Sequence, residues 1–216
     1  EEAAAMAEGK SRSLLHITHA EIDCMPGTDI HSETIYLKAT ETFRSFRENG
    51  WLAEDPDPHF YIYAQTMGNR TQVGLVGCAA CSDYEDGIIR KHELTRPDKE
   101  EDRMVLTRYL NANIEPVFFS YKAVPEIDSI VQNIVTSQPA QYNFVSEDGF
   151  GHLFWTISDP ETNIRIEKLF AEKVPFTYVA DGHHRAGLGQ PADQVERPRT
   201  LGRHGHQPDE STRRSL

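Results

Sequence analysis

At 216 residues, 38% of them hydrophobic, the chain can bury a core and holds one large domain or slightly more. Its 34 acidic and 22 basic residues leave a net charge of -12, which repels nucleic acid and anionic lipid, so neither is expected as a partner. No apolar run reaches the ~20 residues of a membrane span. Glu1–Ala7 lacks the basic-then-apolar order of a signal peptide, and the three cysteines, Cys24, Cys78 and Cys81, suit a reducing compartment. The cytoplasm is therefore the expected location.

In chain order, Leu14–His19 is predicted as a first strand, with His16 and His19 as packing or surface residues. Ser32 is a plausible N-cap for a helix from Glu33 to Asn49, whose Tyr36, Ala39, Phe43 and Phe46 fall on one face. Strand-like runs 60–65 and 71–78 flank Met67-Gly-Asn-Arg70, the pattern of a glycine-bearing hairpin. Cys78-Ala-Ala-Cys81 has redox or zinc spacing but continues the second run, and no further Cys or His pair completes a zinc set. Its thiols are expected in the core. Glu85-Asp-Gly87 is a turn into Ile88-Ile89, followed by the charged segment 90–103, in which Pro97 opens a helix.

Farther on, Pro116–Tyr121 reads as a buried strand, and Pro125 as the first residue of a helix carrying Ile127, Ile130, Val131 and Ile134. Runs 142–145 and 152–157 flank Glu147-Asp-Gly149 as a second hairpin. Asp159-Pro160 starts a helix bearing Ile164, Leu169 and Phe170, and a strand from Phe176 to Ala180 precedes Asp181. Hairpins mixed with helices predict an α+β domain: a mixed, mainly hairpin-built sheet with packed helices over residues 1–185. Residues 186–216 are sparse in apolar side chains and show no period, so they read as a disordered or out-of-frame tail.

The chemistry concentrates in two places. After an apolar strand, Asp181-Gly182-His183-His184-Arg185 offers a turn without a blocking side chain, two imidazoles and a guanidinium at a helix start, all suited to phosphate. The plainer alternative is a polar surface turn. In Lys91-His92-Glu93-Leu94-Thr95-Arg96-Pro97-Asp98-Lys99, Glu93 is a carboxylate flanked by cations, a candidate general base. Arg90, Lys91, Arg96 and Lys99 could neutralise phosphate oxygens. The alternative there is a solvated charged connector. No Walker sequence, dinucleotide fingerprint, serine elbow or zinc helix is present.

The segment 87–103, Asn111-Ala-Asn113, Pro116-Val-Phe118, Tyr61–Gly68 and Tyr178–Arg185 together resemble a bacterial family labelled only as domain of unknown function 1015. The resemblance covers residues 10–185. It implies longer members, so that this chain would be a fragment at both ends. That family in turn resembles the ParB/sulfiredoxin-like superfamily, which includes free-serine kinases.

Carried over by motif, the resemblance implies a fold of that type and catalytic roles for Glu93, the base, and Asp181, which would position Mg2+ or substrate. Gly182, His183, His184 and Arg185 would hold nucleotide phosphates. His92, Thr95, Arg96 and Lys99 would make substrate or phosphate contacts. The implied activity is phosphorylation of free L-serine or a similar hydroxyl compound with ATP or ADP and Mg2+. The partners would be that small-molecule substrate and the nucleotide. The alternatives are a ParB-like nucleotide-binding regulatory module without turnover, or an inactive fragment.

Overall fold

The structure, a computed structural model, describes residues 2–92 and 97–186. Helices lead the chain: α1 (Glu2–Ala7), α2 (Leu15–Thr18), a 3-10 turn (Ala20–Asp23) and α3 (Glu33–Glu48). Leu14–His19 is therefore a helical turn and not the expected strand. Short apolar runs carry no decisive period, and local bonding settles this one. Ser13 Oγ accepts from the Leu15 N–H at 3.3 Å, His16 Nδ1 lies 2.8 Å from Asp23 Oδ2, and Ile17 is 1% exposed. The predicted face of α3 holds: Tyr36, Ala39 and Phe46 are buried, with Phe43 packed against them. Leu106 and Leu110, from the helix that Pro97 opens, complete this cluster.

The remaining elements are β1 (Phe60–Met67), β2 (Arg70–Val76), α4 (Cys81–Glu85), β3 (Ile89–Arg90), α5 (Pro97–Leu110), β4 (Phe118–Tyr121), α6 (Pro125–Ser137), β5 (Tyr142–Val145), β6 (Gly151–Ile157), α7 (Pro160–Lys173), β7 (Thr177–Asp181) and α8 (His183–Ala186). The class is α+β, as expected, but the strands form two sheets instead of one. Both predicted hairpins are present, and they meet through β1 and β6 to give the antiparallel order β2-β1-β6-β5. Met67 pairs with Arg70 across a turn in which Gly68 has φ +60, a left-handed conformation natural for glycine. β2 ends at Val76, so Cys78 and Cys81 leave the sheet and lie exposed, contrary to the expected core placement.

One face of this sheet is sealed by α6 and α7. Ile62, Ala64, Trp155 and Ile157 point to that side and meet Ile134 and Ile166. Fully burying an isoleucine contributes about 1.5–3 kcal/mol, so Ile62 and Ile166, both 0% exposed, are principal contributors. Asp159 caps α7 by accepting from the Thr162 N–H at 2.9 Å. Ile164, expected on the buried face, is 65% exposed. It stands two residues from Ile166, about 200° around the helix, so only one of the pair faces the sheet.

The second sheet has the order β3-β7-β4, with β3 parallel and β4 antiparallel to β7. β4 is an edge strand and Phe118 is 49% exposed, which corrects the expectation of a buried strand. Its composition is apolar, but it has a strand on one side only. Central β7 supplies Val179 at 0% exposure. Val124, Ile127, Leu169 and Val174 form a further cluster, against which Leu75 of β2 and Tyr121 of β4 pack, tying the two sheets together. No helix among the described residues is long and apolar enough to cross a membrane.

Candidate functional site

The three-stranded sheet collects the charged motifs at one end. β3 and β7 run parallel, pairing Ile89 with Thr177 and Arg90 with Tyr178. Their carboxyl ends therefore emerge side by side, one leading into Lys91-His92 and the other into Gly182-His183. Ligands of parallel strands gather at this end. β4 begins opposite Asp181, so the segment before it, which carries Glu115, arrives at the same place. A register shift between Phe118 and Phe119 turns the end of this pairing.

Two motifs far apart in sequence touch here. The rings of His92 and His183 meet edge to face with centroids 4.6 Å apart. His183 is 7% exposed, so the second motif is anchored inward at this ring, while Asp181 stays exposed. Gly182 has φ +88, and a Cβ on it would stand 2.8 Å from Nε and Nη2 of Arg185. The guanidinium thus lies directly over the glycine. The Arg185 N–H also donates to Gly182 O at 2.8 Å, closing the turn.

Arg185 is gripped by two carboxylates. Nη1 donates to Glu115 Oε2 and Nη2 to Asp181 Oδ2, both at 3.0 Å. The other oxygen of Glu115, Oε1, lies 3.5 Å from Arg103 Nη1 on α5. Arg103, Glu115 and Arg185 are each about a quarter to a third exposed, whereas Asp181 is 77% exposed. Arg103, Glu115 and Arg185 border a shallow, solvent-open cleft between α5 and residues 113–115, with Thr107 and Asn113 adding polar groups to its lining.

The structure sorts the sequence-derived candidates. His92, Asp181, Gly182, His183 and Arg185 come together. His184 lies in α8 and Lys99 in α5. Glu93, Thr95 and Arg96 lie outside the described residues. Two of the proposed phosphate-neutralising cations are engaged elsewhere. Arg90 stacks on the Phe176 ring at 3.4 Å, and Lys91 donates to Tyr84 OH at 2.9 Å. That bond raises the Lys91 pKa, keeping the amine charged. α8 is a single turn, so its dipole is small and the side chains carry the positive charge.

Arg103 and Glu115 join the site without being among the residues expected from the sequence. Glu115 directly precedes the Pro116 motif, and that adjacency was the available signal. Among the described residues no group of three or more His, Cys, Asp or Glu could hold a metal by itself. Asp181 alone could offer one carboxylate to Mg2+. That suffices for an ion bound chiefly through a ligand's phosphate oxygens.

A family model described as protein of unknown function (DUF1015) matches residues 1–213, and the chain belongs to that family. No curated protein and no solved structure matches it. The match runs past Arg185 through most of the residues that the sequence reading set apart as a tail.

Proposed function

We propose that this DUF1015 member is a nucleotide-dependent kinase of a small hydroxyl compound, free L-serine or a close analogue, using ATP or ADP. The relation to ParB/sulfiredoxin-like proteins belongs to the same proposal. The observation that carries it is the meeting of His92 and His183 at the carboxyl ends of two parallel strands. That meeting brings the phosphate-suited turn to the residue immediately before Glu93.

Phosphoryl transfer asks mainly for positioning and charge neutralisation. Gly182, His183, His184 and Arg185 hold the nucleotide phosphates, with the glycine letting them approach the backbone. In this reading His92, Thr95, Arg96 and Lys99 are substrate or phosphate contacts. Glu93 accepts the acceptor's hydroxyl proton as that oxygen forms a bond to the terminal phosphorus. The bond from this phosphorus to the bridging oxygen breaks, and the nucleotide leaves one phosphate shorter. Asp181, together with the nucleotide's phosphates, would hold Mg2+, which would supply further neutralisation of the transferred charge.

The test is formation of phosphoserine from L-serine with MgATP or MgADP. The expected result is turnover that Glu93→Gln lowers by about 10²–10⁴-fold. Equal rates for the two proteins, or no product from any small hydroxylated acceptor, would overturn the reading. A second reading, a nucleotide-binding regulatory module without turnover, draws on the double pairing of Arg185 with Glu115 and Asp181. An arriving phosphate must exchange with those carboxylates, which would couple binding to a rearrangement of the α5 end. Tight nucleotide binding with no transfer would favour it.

A further inference from the structure

We infer that Arg103 and Arg185 form a carboxylate seat, occupied in this structure by Glu115, that selects acceptors carrying a carboxylate beside the hydroxyl. The inference rests on the kinase reading and specifies its substrate class. A carboxylate already shows the fit: the two oxygens of Glu115 are divided between the guanidiniums, Oε2 at 3.0 Å from Arg185 and Oε1 at 3.5 Å from Arg103. Guanidinium forks match a planar two-oxygen anion. The cleft beside them is shallow and open to solvent while Glu115 fills the seat, so an acceptor's carboxylate enters by taking the place of the Glu115 carboxylate. Its other polar lining, Thr107 and Asn113, suits the amino and hydroxyl groups of such a molecule.

Charge argues that the occupant exchanges. Among the described residues Arg103 and Arg185 are balanced by Glu115 and Asp181, so an added anion gains both guanidiniums only as a carboxylate withdraws. Glu115 is on the connection between α5 and β4, outside both elements, and can swing without unpairing a strand. It therefore competes with the acceptor for the same two guanidiniums. Arg185 also belongs to the phosphate turn, so the seat fixes the acceptor's carboxylate next to the nucleotide's phosphates. Holding the carboxylate there leaves the acceptor's hydroxyl, a few bonds away, beside the donor that the same arginine steadies.

The experiment measures KM for L-serine, for ethanolamine (the same molecule without its carboxylate) and for the nucleotide, in the full chain and three variants. Arg103→Gln should raise the serine KM by about tenfold, the loss of one charge-assisted hydrogen bond. The KM values for ethanolamine and nucleotide should stay within about twofold. Arg103→Lys should fall between, keeping the charge but not the fork. Glu115→Gln should lower the serine KM by several-fold, because the competitor has lost its charge.

A serine KM that rises no more than those of ethanolamine and nucleotide in Arg103→Gln would overturn the inference. So would weaker serine binding in Glu115→Gln with an unchanged circular dichroism spectrum. If the wild-type chain transfers no phosphate to any acceptor, the kinase reading fails by itself, and calorimetric titration with L-serine then decides the seat. Tighter binding to Glu115→Gln than to wild type supports it, and equal or no binding to both overturns it.

Discussion

The four-stranded sheet has strands of four to eight residues and one face sealed by α6 and α7. The three-stranded sheet has strands of two to five residues, and its carboxyl end is closed by Arg103, Glu115, Asp181 and Arg185. One region is held by apolar area, the other by charges that neutralise each other in partial contact with water. Apolar packing is non-directional and stable across conditions near neutral pH. Partly exposed ion pairs contribute little net stability but can be exchanged for a ligand's charges. The difference assigns scaffold to the first region and site to the second.

Substitutions should separate these roles. The largest effect belongs to Glu93→Gln, a rate loss of about 10²–10⁴-fold in phosphate transfer with an unchanged melting temperature. Nearly as large in free energy, and opposite in kind, Ile166→Ala should lower unfolding stability by about 2–5 kcal/mol in a denaturant titration. Its transfer rate per folded molecule should stay at the wild-type value. Loss of activity without loss of stability in Ile166→Ala would erase the distinction.

Gly182→Ala touches both. A non-glycine residue at φ +88 costs about 1–2 kcal/mol, and the new methyl must displace the Arg185 guanidinium. Stability should fall modestly, while nucleotide affinity, read by calorimetry, should fall by about tenfold or more.

The smallest effect concerns acid. The Thr162 side-chain and backbone donors hold the Asp159 carboxyl below its ordinary value. Its folded pKa is depressed, so its contribution is fully present above the unfolded pKa of ~3.9 and is lost as pH falls through the folded value. Asp159→Asn, which keeps an acceptor and removes the titration, should flatten the acid limb of a melting-temperature profile. An unchanged acid limb would remove Asp159 from the account.

Much of the scaffold was legible because its signals are local. The glycines at 68 and 149 marked both hairpins, and Pro125 and Asp159-Pro160 marked the starts of α6 and α7. What failed was decided by neighbours. Leu14–His19 has strand composition but folds as a turn of helix against α3 and α5. Cys78 and Cys81 looked like a continuation of β2, which ends before them. At the site, the Asp-Gly-His-His-Arg turn was conspicuous in the sequence, and so was the segment around His92. Their edge-to-face contact was not, because it spans 91 residues and depends on the parallel pairing of β3 with β7. The Arg103–Glu115–Arg185 arrangement was equally invisible, since no periodicity relates a helix, a connection and a turn.

The central claim is that the segment entered at His92 and the turn entered at Gly182 make a single ligand site. Nitrogen NMR of the histidine rings, recorded while MgATP is titrated into the full chain, tests it most directly. The account predicts that the His92 and His183 resonances both move and reach saturation at the same nucleotide concentration. Movement of one ring alone, or of neither, would contradict it.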